Sequence, residues 1–110
     1  MWKRIASVRE AKAAPISKVS VSGHSIVYGM VGDRPFAFES ECPHKGGPLE
    51  KGELKGESIR CSWHGYEYNL FNGRVEVMTY PDASPRWRKT TDLRVHRVKV
   101  LEGALYVEIS

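Results

Sequence analysis

Both cysteines of this chain stand just ahead of a histidine, in loops marked by glycine and proline, and that pairing limits the possible folds more than any other feature. Cys42 is separated from His44 by one residue and Cys61 from His64 by two; Pro43, Gly46, Gly47 and Pro48 surround the first pair and Gly65 follows the second. Glycine adopts the dihedrals that let backbone N–H groups curl toward a bound anion or sulfide, and it leaves room for close approach. Together the pairs offer two thiolates and two imidazoles, one of each kind from each loop. The fold that carries them should present two loop tips to a shared site.

The rest of the chain supplies a scaffold of short strands. Apolar alternation at Val19 and Val21, at Ile26 and Tyr28, and at Phe36 and Phe38 predicts strands, with turn signals at Ser22-Gly23 and Gly32-Asp33. Residues 25–40 then form a hairpin. A second is predicted over 66–80, turning at Asn72-Gly73 as a two-residue loop, with Tyr66, Tyr68 and Leu70 on one face of the incoming strand. A third, over 93–109, turns near Glu102-Gly103 and ends on the alternating Leu105, Val107 and Ile109. Only "REAKAA" ahead of Pro15 suggests a helical turn. The expected class is all-β, a small antiparallel sandwich or barrel. At 110 residues the chain is read as one domain over 1–110, near the size where a metal centre helps hold loops in place.

Composition removes several function classes. The apolar residues fall in short runs, so a membrane-spanning helix is not expected. "MWKRIASVREAKAAP" mixes charge with apolar residues and lacks the apolar core of a secretory signal, which makes the cytoplasm the expected location. The formal net charge is +4, and "RWRKTTDLRVHRVK" holds most of the excess, while Glu39, Glu41, Glu50, Glu53 and Glu57 flank the Cys/His region. That basic run is read as solvated surface, so no nucleic-acid partner is expected. No dinucleotide or Walker-type loop is present, and no sequence context suggests nucleophilic catalysis.

In a reducing compartment two cysteines beside histidines are better used as ligands than as a disulfide. A set of two sulfurs and two nitrogens suits zinc, where four ligands converge on one ion, and equally a [2Fe-2S] cluster, where each iron takes two. Spacing alone leaves both open. His24 and His96 are each read as an ordinary surface or core histidine, not as ligands.

The motifs C-P-H-x4-L at Cys42 to Leu49 and C-x-W-H-G-x-x-Y at Cys61 to Tyr68 resemble the two cluster-binding loops of Rieske [2Fe-2S] proteins. The likeness extends through "FAFESECPHKGGPL", "GELKGESIRCSWHGYEYNLFNGRV" and "VKVLEGALYVEI", roughly residues 16 to 110. It implies a Rieske-type iron-sulfur fold with a cluster-binding subdomain of two loops, at about 41–50 and 60–68. By the same resemblance Cys42 and Cys61 bind one iron as thiolates, and His44 and His64 bind the other as neutral imidazoles, in one cluster per chain. Two neutral ligands in place of two thiolates leave the oxidised cluster formally neutral, so an added electron meets less repulsion and the potential rises, within roughly −150 to +300 mV for such centres.

Respiratory members of the family carry a disulfide between the loops and a serine and tyrosine that donate to the cluster. Here Gly47 and Trp63 stand at the disulfide positions and Tyr66 at the serine position, and only Tyr68 matches. The resemblance therefore implies a disulfide-free ferredoxin-type centre with a potential in the lower half of the family range, tuned by Tyr68. It also implies a soluble one-electron carrier, not an enzyme, which accepts from a flavin-dependent reductase and delivers to an oxygenase or other terminal redox enzyme. Docking is expected at the His44/His64 tip, with Lys45 selecting an acidic patch.

The stretch 80–93 is longer and more basic than the usual proline loop over a Rieske cluster; Pro81 or Pro85 is expected to take the covering role and Trp87 to plug the core. This run is also similar to small vertebrate Rieske-domain proteins. The other readings are a zinc-stabilised binding module and a small Rieske-fold subunit of a larger reductase, such as a nitrite reductase.

Overall fold

The structure is a computed structural model, and it describes residues 1–41, 48–61, 65–77 and 92–109. Among the described residues ten strands form three antiparallel sheets, accompanied by one α-helix. The N-terminal strand β1 (Trp2–Ser7) leads into α1 (Val8–Ala13), whose first turn is closed by a capping box: the Glu10 N–H donates to Ser7 Oγ at 3.0 Å, and the Ser7 N–H to Glu10 Oε1 at 2.9 Å. Strands β2 (Ser17–Val21), β3 (His24–Val31) and β4 (Arg34–Glu39) make the middle sheet. A third sheet is the meander β5 (Glu53–Lys55), β6 (Ser58–Arg60), β7 (Glu67–Asn69) and β8 (Val75–Val77). Strands β9 (Val98–Leu101) and β10 (Ala104–Glu108) close the chain, with β10 lying between β1 and β9.

The middle sheet is covered on both faces, as its sequence requires. Alternation puts Ile26 and Tyr28 on one side of β3 and Val27 on the other, and splits β4 between Ala37 and the pair Phe36 and Phe38. One side packs with Ala6, Ala11, Leu105, Val107 and Ile109, from β1, α1 and the C-terminal strand region. The other packs with Leu49, Ile59, Cys61, Tyr66, Tyr68, Leu70 and Leu93. Beyond β8 the chain returns along β4: the Glu39 N–H donates to the Arg94 carbonyl and the His96 N–H to the Ala37 carbonyl, each at 2.9 Å. This segment joins the middle sheet to the β1-β10-β9 sheet.

The predicted hairpin over 25–40 forms as β3–β4 about Gly32-Asp33, whereas within 93–109 only β9 and β10 pair as a hairpin, about Glu102-Gly103, and the residues before them run beside β4. At Ser22-Gly23 and Glu102-Gly103 both residues have positive φ (49° and 82°, 50° and 75°), as a type I′ connection demands. The hairpin predicted over 66–80, described as far as Val77, forms with a different turn. Asn69 and Arg74 flank a loop from Leu70 to Gly73, because Asn69 Oδ1 accepts from the N–H groups of Phe71 and Asn72 at 2.8 and 3.0 Å and wraps the chain around its own side chain. Gly73 is needed there for a second reason. Its φ is 76°, its carbonyl accepts from the Leu93 N–H at 2.7 Å, and a Cβ on it would collide with the Leu93 carbonyl.

Candidate metal centre

The first Cys/His loop leaves the end of β4 and is closed at its base by two contacts. Glu41 bridges to Pro48, and the Leu49 N–H donates to the Ser40 carbonyl at 2.8 Å. Beyond the bridge Leu49–Lys51 form one 3-10 turn, with Leu49 wholly buried. The second loop is the tip of the β6–β7 hairpin. Strand pairing runs from Ser58↔Asn69 through Arg60↔Glu67, and the Cys61 N–H then donates to the Tyr66 carbonyl at 2.7 Å. The Gly65 N–H returns to the Cys61 carbonyl at 2.9 Å, with Gly65 at φ 75°. Cys61 thus sits where a regular strand ends and a tight turn begins, which fixes its Cα on a rigid element.

The two loop bases are pressed together at Gly52. This residue follows the 3-10 turn, donates to the Leu49 carbonyl at 2.9 Å, and lies against β6. A Cβ at Gly52 would collide with the Arg60 carbonyl oxygen, come within 3.1 Å of the Leu49 oxygen, and meet Ile59 Cδ1 at 3.2 Å. Its φ of −78° is ordinary, so space and not conformation demands glycine here. Arg60 immediately precedes Cys61, so Gly52 lets the chain returning from the first loop pack against the strand that delivers the second.

Cys61 is 1% exposed, and Ile59, Tyr66, Tyr68 and Leu70 belong to the same core cluster. A thiol in apolar surroundings resists ionisation, whereas metal ligation requires the thiolate and releases the proton. The burial therefore suits a metal ligand better than a reactive cysteine. A cavity of about 250 Å³ adjoins it, lined by Lys51, Glu53, Arg60, Cys61 and Gly65. Tyr68 is fully buried on β7 opposite Ile59, on the face of the meander that also buries Tyr66 and Leu70.

Of the residues assigned to the site from sequence, Cys61 and Tyr68 are described and share one core. Cys42, His44 and His64 lie outside the described residues, as do Lys45, Gly47, Trp63, Pro81, Pro85 and the basic run from Arg86 to Lys89. Sequence reasoning did not single out Gly52, whose requirement comes from a close approach of two segments. His24 and His96, read separately as ordinary histidines, are brought together on Glu39. His24 Nδ1 lies 2.9 Å from Glu39 Oε1 and His96 Nε2 lies 3.2 Å from Glu39 Oε2. Burial raises the Glu39 carboxyl, but the hydrogen bonds and charge interactions with the two histidines outweigh it and hold the group below its ordinary value of 4.5.

The comparisons with known proteins agree with this architecture. The family model for the Rieske [2Fe-2S] domain matches residues 1–101. Ferredoxin CarAc of Metapseudomonas resinovorans is 31% identical over 108 residues, which cover 97% of this chain and 92% of that protein. A Rieske domain-containing protein of Homo sapiens is 34% identical over 83 residues, covering 67% of this chain and 53% of the human protein. Among solved structures, a complex of reduced oxygenase and oxidized ferredoxin in carbazole 1,9a-dioxygenase contains a chain that superposes with a TM-score of 0.79 at 30% identity, covering 96% of this chain and 91% of its own. The ferredoxin of Sphingomonas yanoikuyae B1 shares the fold over the full length of both chains, with a TM-score of 0.82 at 17% identity. This chain belongs to the Rieske [2Fe-2S] domain family. The family implies a [2Fe-2S] cluster, and the buried thiol between two tied loop bases fits one.

Proposed function

We propose that this chain is a soluble Rieske-type ferredoxin, a one-electron carrier between a reductase and an oxygenase or other terminal redox enzyme. The observation that carries the reading is the near end-to-end match to a stand-alone ferredoxin, 97% of this chain against 92% of that one. A carrier needs a cluster scaffold and a docking surface and no substrate pocket of its own, so a match of this extent favours the carrier over a domain borrowed from an enzyme. In the matched complex it is a ferredoxin that meets an oxygenase, and an oxygenase is the acceptor we assign here.

Cys42 and Cys61 would hold one iron as thiolates, and His44 and His64 the other as imidazoles, in one cluster per chain. When bound, the cluster supplies a centre that accepts and releases a single electron with little nuclear rearrangement. The protein's own residues set how that happens. Leu49, Ile59, Tyr66 and Leu70 form an apolar floor around Cys61 that keeps water from one side of the site, which strengthens every electrostatic interaction across it. Gly52 and the Glu41–Pro48 bridge tie the bases of the two loops. We assign the Tyr68 hydroxyl to a hydrogen bond that stabilises added negative charge on a ligand sulfur. The whole of 1–110 acts as one domain, its partners dock at the His44/His64 tip, and it works in the cytoplasm. Among the described residues no helix is long and apolar enough to cross a membrane.

Anaerobic titration of the holoprotein with dithionite, followed by mixing with an oxidised Rieske oxygenase, tests the assignment. The expected result is uptake of one electron per chain and its loss to the oxygenase. A protein that bleaches irreversibly, or takes up no electron, is not a carrier.

A further inference from the structure

The most unusual side-chain cluster outside the Cys/His loops is the meeting of His24, Glu39 and His96. We propose that these three residues form a second metal site, which takes one divalent ion of the zinc class. The proposal does not depend on the cluster assignment.

The three donors come from three chain segments that the backbone locks in place. His24 opens β3 and pairs with Val21, and Glu39 ends β4 and pairs with Ile26. His96 belongs to the segment that runs beside β4, held by the Phe38–Val95 bridge and by the Glu39 N–H to Arg94 and His96 N–H to Ala37 hydrogen bonds. On this frame the His24 nitrogen, a Glu39 oxygen and the His96 nitrogen all lie within 4.8 Å of one another. Zinc with ligand distances of about 2.0–2.2 Å needs donors roughly 3.3 Å apart in a tetrahedron. The two histidine–carboxylate distances, 2.9 and 3.2 Å, are already close to that spacing. The rings meet edge to face, with centroids 5.7 Å apart and planes at 80°.

The donor set decides the ion. Two imidazoles and one carboxylate suit zinc and its neighbours, whereas calcium and magnesium prefer oxygen alone and copper(I) prefers sulfur. Each imidazole now faces the carboxylate. A bound ion requires the carboxylate-facing nitrogen of each ring to offer a lone pair, with that ring's hydrogen on the outer nitrogen. The His96, Glu39 and His24 side chains are 11%, 22% and 32% exposed, a gradient from the nearly buried to the partly open side of the cluster that leaves the fourth position to water. Three protein ligands and one open position describe zinc sites that keep a water or a further ligand in the fourth place, not those that only hold a fold.

Calorimetric titration of zinc chloride into the holoprotein at neutral pH, repeated with His24→Gln, Glu39→Gln and His96→Gln, tests the site. The wild-type protein should bind one zinc per chain without change in the visible spectrum of the cluster. Each variant should bind at least about 100-fold more weakly, since it loses a direct ligand. His24→Gln, the most exposed of the three, keeps the test open if the others do not fold. Ring-nitrogen NMR of the wild-type protein offers a check without any variant: the His24 and His96 signals should move on zinc addition. Zinc uptake that is equal in all variants, that bleaches the cluster, or that leaves both ring signals in place overturns the proposal.

Discussion

The middle sheet is packed on both faces, and the two faces are built from different materials. Toward α1 and the β1-β10-β9 sheet the wholly or nearly buried residues are Ala6, Ala11, Ile26, Ala37, Leu105 and Val107, with Tyr28 and Ile109 at the margin. Toward the β5–β8 meander the four aromatics Phe36, Phe38, Tyr66 and Tyr68 join Val27, Leu49, Ile59, Leu70 and Leu93, with Cys61 among them. The first face has almost no polar atoms to place and contributes stability through area and shape. The second carries the Cys61 sulfur, which we assign as a ligand, and two phenol groups in the same apolar volume. Perturbing the first face should therefore change stability alone, whereas perturbing the second should change stability and chemistry together.

The sharpest way to break this comparison is on the first face. Leu105 is wholly buried, and Leu105→Ala should lower the unfolding free energy by about 2–5 kcal/mol while leaving the reduction midpoint of the folded holoprotein where it was. Denaturant melts and a redox titration on the same sample check both halves; a shifted midpoint would merge the two faces into one functional unit. Gly52→Ala, on the second face, forces the Arg60 backbone or the 3-10 turn to move, at about 1–3 kcal/mol. Unlike Leu105→Ala it should also reduce the iron retained per chain, because it separates the loop bases; full iron retention would remove Gly52 from the site.

Tyr68→Phe takes away one hydroxyl and little volume. Loss of one hydrogen bond to a charged sulfur should lower the midpoint on the order of 50 mV, with unfolding changed by about 1 kcal/mol. An unmoved midpoint would confine Tyr68 to packing. The smallest effect concerns Glu39. Its carboxyl is depressed in the folded chain, so its contribution is complete above the unfolded value of 4.5 and disappears as pH falls through the lower folded value. For groups this open to water the contribution should stay below about 1 kcal/mol. Glu39→Gln should therefore cost stability at pH 6 and nothing at pH 2.5, as urea midpoints would reveal.

Much of this arrangement was legible in the sequence, and the parts that were not share a physical cause. Alternation around Ile26, Phe36 and Leu105 placed the strands of the middle sheet and the C-terminal hairpin, because those strands bury residues with period two. Strand β1 gave no such signal: only Ala6 is fully buried along Trp2–Ser7, and the register slips between Arg4 and Ala6. The three-residue strands β5 and β6 are too short to show a period. Asn72-Gly73 suggested a two-residue turn, but Asn69 captured the following amides first. The capping box of Ser7 and Glu10 was a local signal that the sequence reading of a helical turn before Pro15 did not use.

At the site, local spacing named Cys61 and Tyr68, which share a core, along with Cys42, His44 and His64, which lie outside the described residues. Contacts between distant segments could not be named that way. Gly52 answers to Arg60, and Glu39 meets His24 and His96 at separations of 15 and 57 residues.

The most direct test of the account is the iron and acid-labile sulfide content of freshly purified protein, with an EPR spectrum of the same sample after dithionite reduction. A red-brown protein with iron and sulfide in equal amounts, and a rhombic reduced signal of low average g that is lost in His64→Cys, is the predicted result. A colourless protein that takes up neither iron nor sulfide, even when both are supplied anaerobically, would contradict it.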